Sequence, residues 1–216
     1  DMDDRDPRSA VAANLAAVPV IGVVRTTSDA EAAETAATYL EGGLKMIEIT
    51  FTVPDAVGVV ESLAESAAAA GASLGMGTVT TGDRAARAVA AGAEFIVSPN
   101  VSAEVAERAR AAGRYLILGA LTSTEIVAAR QLGADLVKVY PLATVGGAAY
   151  MEIVRQPLGD IPMLAAGGFG LDDIPSYRAA GAVAFGLGPP LLGASRAESL
   201  TKIRRAIALA TGRSDS

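Results

Sequence analysis

The stretch Thr122–Pro141, TSTEIVAARQLGADLVKVYP, contains the unit from which the rest of the chain is built. It opens on a threonine suited to cap a helix and runs through a helix-forming segment. It then turns at Leu132-Gly133-Ala134 and enters a short apolar run. The same order recurs along the chain. Strand-like runs lie at 19–25 (PVIGVVR), 44–50 (LKMIEIT), 73–79 (SLGMGTV), 93–98 (AEFIVS), 114–120 (RYLILGA), 135–141 (DLVKVYP), 162–168 (PMLAAGG) and 182–188 (AVAFGLG). Between them SDAEAAETAATYLEGG, TTGDRAARAVAAGA and SAEVAERARAAG begin on the caps Ser28, Thr81 and Ser102 and close on glycine.

Eight such alternations with short crossovers predict a parallel sheet, and eight strands are the number that closes into a barrel. The expected fold is therefore α/β, a (β/α)8 TIM barrel; a doubly wound open sheet is the alternative. AVAANLAAV (10–18) predicts an extra helix ahead of the first strand. No linker divides the units, so residues 9–216 are expected to form a single barrel domain, with the acidic residues 1–8 as a disordered tail.

Composition narrows the chemistry. With a net charge of −6, the chain lacks the clustered basic residues of a nucleic-acid surface. No apolar run approaches the ~20 residues of a membrane span, and no secretory signal is visible. There is no Cys and no His among 216 residues. Thiolate nucleophiles and Cys sites are excluded, and the commonest acid–base group and metal ligand is missing. Chemistry must fall to Lys, Glu, Asp, Tyr, Ser, Thr or water. Of the 18 Lys and Arg residues only Lys45, Lys138 and Lys202 are lysines, and Lys138 stands inside an apolar run. Burying an ammonium group costs several kcal/mol unless it is compensated.

In barrels of this kind the site lies at the C-terminal ends of the strands. There the chain places Arg25, Glu48, Thr50, Thr78, the Ser98-Pro99-Asn100 turn, Lys138 and Tyr140. Alternation puts Leu136, Lys138 and Tyr140 on one face of strand 6, and Met46, Glu48 and Thr50 on one face of strand 2. Inward-facing Lys138 and Glu48, with Arg25 and Thr78 at the rim, would form a polar island. Two readings stay open for Lys138. It could be neutralised in an ion pair with Glu48. Alternatively, desolvation could lower its pKa and leave an amine able to attack a carbonyl, with Glu48 moving protons. The glycines of AAGGFG (165–170) and FGLGPP (185–190) follow strands 7 and 8, the usual phosphate cradle of such barrels, but tight turns alone would also require them.

Taken together, EGGLKMIEITFTVPDA, GMGTVTTGD, AGAEFIVSPN, TSTE, LVKVYP, GG and GLG, in this order and spacing, resemble the KDPG/KHG aldolases over essentially the whole chain. These are class I pyruvate aldolases acting on 2-keto-3-deoxy-6-phosphogluconate or 4-hydroxy-2-oxoglutarate. The resemblance implies a lyase in which Lys138 forms an imine with pyruvate or the keto acid and Glu48 shuttles protons. It further implies that Arg25 binds an acidic end of the substrate and that Thr78 and the Pro99 backbone hold the pyruvyl part. Tyr140 would lie beside the imine, Thr52 stands where some members carry Arg, and Gly167, Gly168 and Gly188 correspond to phosphate loops. No cofactor and no metal are implied; the expected assembly is a cytoplasmic homotrimer.

Departures from the family pattern stand at Leu118, where Pro is usual, at Ala166, where Thr is usual, and at Pro189, where a phosphate-contacting Ser is usual. With Pro190, the last change also removes two backbone donors. A charge-assisted hydrogen bond is worth ~1.5–3 kcal/mol, so the aldehyde partner could be non-phosphorylated. The alternatives are therefore a pyruvate aldolase for 4-hydroxy-2-oxoglutarate or 2-keto-3-deoxy-6-phosphogalactonate, and a non-catalytic barrel used for binding or assembly.

Overall fold

The computed structural model describes residues 6–213. The eight expected runs form β1 (Val20–Val24), β2 (Met46–Thr50), β3 (Ser73–Gly77), β4 (Phe95–Ser98), β5 (Tyr115–Ala120), β6 (Leu136–Val139), β7 (Met163–Ala166) and β8 (Ala184–Leu187). Every neighbouring pair is parallel, and β8 returns to β1 through Val20 opposite Phe185, which closes the sheet and removes the open-sheet alternative.

Helices α2 (Asp29–Glu41), α3 (Ala56–Ala69), α4 (Gly82–Ala90), α5 (Ala103–Ala111), α6 (Ser123–Gln131), α7 (Gly147–Arg155), α8 (Ile174–Ala179) and α9 (Arg196–Thr211) follow β1 to β8 in order. The expected caps are made. Ser28, Thr81, Ser102 and Thr122 accept hydrogen bonds from the amides of Glu31, Arg84, Val105 and Glu125, satisfying donors that a helix start leaves orphaned. Among the described residues no helix is long and apolar enough to cross a membrane.

Two apolar layers result. Outward-facing strand residues such as Ile47, Ile96, Leu116 and Val137 pack under the helices. Inward-facing Ile21, Met46, Phe95, Ile117, Leu136 and Leu164 fill the barrel itself. Gly75 is small because the Phe95 ring crosses it; a Cβ there would stand 2.4 Å from the ring.

The extra helix is α1 (Pro7–Ala17), and it starts earlier than the sequence suggested. Residues 1–5 of the expected tail lie outside the described residues, but Pro7 and Arg8 are helical. Asp6 supplies the cap by accepting from the Arg8 and Ser9 amides, Pro7 sits where proline is favoured, and Arg8 Nε reaches Asp135 at 2.9 Å. Val11 and Leu15 join the interior cluster, and Asn14 donates to Ser73 at the start of β3, so α1 stoppers the N-terminal end of the barrel.

Candidate active site

The C-terminal mouth is shaped by which residues lack side chains. Lys138 is flanked by Gly119 on β5 and Leu164 on β7, one inward step above Leu136. It is half-buried, and its Nζ lies 5.3 Å from the centre of the Tyr140 ring. That ring is 42% exposed and rests against Gly167, where a Cβ would meet it at 2.7 Å.

Glu48 is 2% exposed, between Val23 of β1 and Gly75 of β3. Its carboxylate crosses Gly77. The ion pair left open by the sequence is not formed: among the described residues no salt bridge joins Lys138 to Glu48. Closure explains this. β2 and β6 are four positions apart in an eight-stranded ring, and the Glu48 carboxylate is turned toward Gly77 of β3.

Arg25 follows β1, and its guanidinium donates to Thr52 Oγ1 at 3.5 Å and Thr78 Oγ1 at 3.4 Å. Thr52 and Thr50 hydroxyls lie 2.6 Å apart, and Thr50 donates to the Val24 carbonyl at 2.9 Å. The proton order therefore runs from Arg25 to Thr52, to Thr50, to Val24. Among the described residues Arg25 is paired with no carboxylate, which leaves its charge for a ligand. Thr78 has φ of 59°, the left-handed region that a β-branched residue rarely occupies.

Pro99 reaches the mouth because Gly119 admits it; a Cβ at 119 would lie 2.2 Å from the Pro99 carbonyl. The turn is fastened by the Asn100 amide donating to Ser98 Oγ at 3.4 Å.

A cavity of about 680 Å³ opens beside these groups. Arg25, Lys138, Tyr140, Gly167, Gly168 and Gly188 line it, as do Pro189 and Pro190; Glu48, Thr52, Thr78 and Pro99 do not. The sequence reading missed Thr35 and Tyr39 of α2, which line the same cavity. Tyr39 Oη lies 3.4 Å from the Val23 carbonyl and 3.3 Å from that of Gly188, and burial raises its pKa far above the usual phenol range. A signal was present in Gly22, a glycine mid-strand, whose missing Cβ leaves room for the Tyr39 ring.

Comparison with known proteins agrees with this geometry. The family model described as KDPG and KHG aldolase matches residues 11–206. A probable 2-dehydro-3-deoxy-6-phosphogalactonate aldolase of Rhizobium meliloti is 33% identical over 80% of this chain and 81% of its own. A 2-dehydro-3-deoxy-phosphogluconate aldolase of Treponema pallidum is 32% identical over 76% and 78%. The crystal structure of a 4-hydroxy-2-oxoglutarate/2-deydro-3-deoxyphosphogluconate aldolase from TTHB1 superposes with a TM-score of 0.80 at 30% identity, covering 95% of this chain and 99% of that one. A (β/α)8 barrel with Lys138 on β6 and Glu48 on β2, matched over nearly its whole length, belongs to the KDPG/KHG aldolase family of lyases.

Proposed function

We propose that the chain cleaves a 2-keto-3-deoxy sugar acid of the KDPG type to pyruvate and an aldehyde through an imine on Lys138. The observation that carries this is that Lys138 and Glu48 stand near the C-terminal ends of opposite strands with no ion pair between them. In its uncharged form Lys138 Nζ adds to the C2 carbonyl. Loss of water, assisted by Glu48, leaves the imine. Glu48, or a water it holds, takes the C4 hydroxyl proton. The C3–C4 bond breaks, and its electron pair moves into the imine to give an enamine and a free aldehyde. Protonation at C3 and addition of water release pyruvate and restore the amine.

Arg25 binds the substrate's acidic end, braced by Thr52 and Thr78; Thr78 and the Pro99 backbone hold the pyruvyl part. Tyr140 screens the imine, and Gly167, Gly168 and Gly188 let the aldehyde end approach the backbone. This chemistry balances without cofactor or metal, in line with a chain lacking His and Cys. The protein acts on a small keto acid in the cytoplasm, touching neither nucleic acid nor membrane. The chain assembles as a homotrimer. The described residues from Pro7 onward act as one domain.

Incubation with pyruvate and sodium borohydride, followed by mass analysis of the peptide containing Lys138, tests the proposal. One reduced adduct at Lys138, absent from Lys138→Met, is expected. Unmodified protein after full reduction would sink it. A second reading, in which the aldehyde carries no phosphate, draws on Pro189 and Pro190 standing on the cavity wall without amide donors.

A further inference from the structure

Arg84, on α4 outside the barrel, is not part of the mouth, yet it grips the backbone that shapes it. Its Nη1 donates to the Thr78 carbonyl at 3.1 Å and to Thr80 Oγ1 at 3.1 Å. Its guanidinium carbon lies 5.4 Å from the centre of the Phe51 ring, and Arg87 approaches the same ring at 5.4 Å. Phe51 is itself fixed, its amide donating to the Gly77 carbonyl at 2.9 Å. Arg84 is thus held over a ring at the end of β2 while it clamps the end of β3.

The clamped residue is the one non-glycine at positive φ among the described residues, and strained conformations persist only where their surroundings over-determine them. In that conformation Thr78 presents its hydroxyl to Arg25. We infer that Arg84 is a positioning residue: by fixing the Thr78 carbonyl it holds the Thr78 hydroxyl in place and so aims Arg25 at the substrate. The inference rests on the reading that Arg25 binds an acidic end of the keto acid.

Steady-state cleavage by the full chain, with 2-keto-3-deoxy-6-phosphogluconate as probe, tests it through Arg84→Ala, Arg25→Ala and the double variant. Arg84→Ala is expected to raise KM about tenfold, with kcat changed less than about threefold, the scale of one hydrogen bond to a charged group. In the double variant the Arg84 change should add almost nothing, because the group it aims is gone. Arg84→Lys, which keeps the charge and stem but loses the fork, should fall between wild type and Arg84→Ala.

If the two KM effects multiply in the double variant, Arg84 acts independently of Arg25 and the inference fails while the reading of Arg25 stands. If Arg25→Ala leaves KM unchanged, the reading of Arg25 fails first. Should Arg84→Ala not fold, Arg84→Gln carries the same comparison, and an unchanged KM there overturns the inference.

Discussion

The carboxylate of Glu48 lies where a side chain at Gly77 would have to stand. A Cβ at 77 would be 1.8 Å from Oε1 and 2.5 Å from Cδ. The missing Cβ on β3 is therefore what lets Glu48 lie across the barrel wall. Gly77→Ala should displace that carboxylate rather than the sheet, because the obstructing atoms are the far end of a side chain. General acid–base catalysis contributes ~10²–10⁴-fold, so kcat should fall at least tenfold, toward the value of Glu48→Gln. The stability cost should stay near the ~1–3 kcal/mol of local overpacking. Urea unfolding and turnover on the same sample check both; wild-type turnover would show that the placement does not matter.

Thr78 should separate stability from activity. Its left-handed backbone costs ~1–2 kcal/mol for a residue with a Cβ, whereas glycine adds ~0.5–1 kcal/mol of lost chain entropy. Thr78→Gly is thus expected to unfold no earlier than wild type while KM for the keto acid rises several-fold, since Arg25 loses a brace. Thermal unfolding and steady-state kinetics measure the two arms, and a clearly lower Tm would contradict the strain argument.

Pro189→Ser should change which aldehyde is accepted. It returns a hydroxyl and an amide donor to the wall of the cavity, each worth ~1.5–3 kcal/mol toward an anion. The ratio of kcat/KM for a phosphorylated over an unphosphorylated substrate should rise at least about tenfold. An unchanged ratio would mean that this wall does not meet the phosphate end.

Acid should loosen the start of α6 through Glu125. Its carboxylate accepts from the Thr122 and Leu121 amides, both at 2.8 Å, and these bonds hold its pKa below the ordinary 4.5. A lowered folded pKa means that the stabilisation is fully present above 4.5 and is lost as pH falls through the folded value beneath it. Glu125→Gln keeps an acceptor but cannot titrate. Relative to wild type it should be less stable at pH 7, by no more than the ~1 kcal/mol of a cap, with the gap closing toward pH 3. Urea titrations at the two pH values test the sign; a gap that widens in acid would refute it.

The barrel was legible because each unit announces itself locally: Thr122 caps, Gly133 turns at φ of 90°, and Leu136 to Val139 alternate. Alternation also picked out Lys138 and Glu48 as inward residues. Their relation was not legible. Nothing local distinguishes a pair in contact from a pair held apart, and only closure sets β2 opposite β6. Pro7 was hidden for a different reason: a proline after an acidic run reads equally as tail or as helix start, and the contact that decides it, Arg8 with Asp135, spans most of the chain. Tyr39 escaped because its helix looks like ordinary packing until Gly22 is seen beneath it. The hydroxyl chain from Arg25 through Thr52 to Thr50 needed the register of β1 against β2.

Among the described residues, Val11 and Leu15 are wedged into the lower end of the barrel, opposite the mouth that holds Lys138. If substrate enters by that mouth, both fragments of a split substrate leave the way the intact molecule came in. Under the imine chemistry the pyruvyl fragment remains tethered at Lys138 until water frees it, so the aldehyde departs first. In the synthetic direction the same geometry makes pyruvate the first to load.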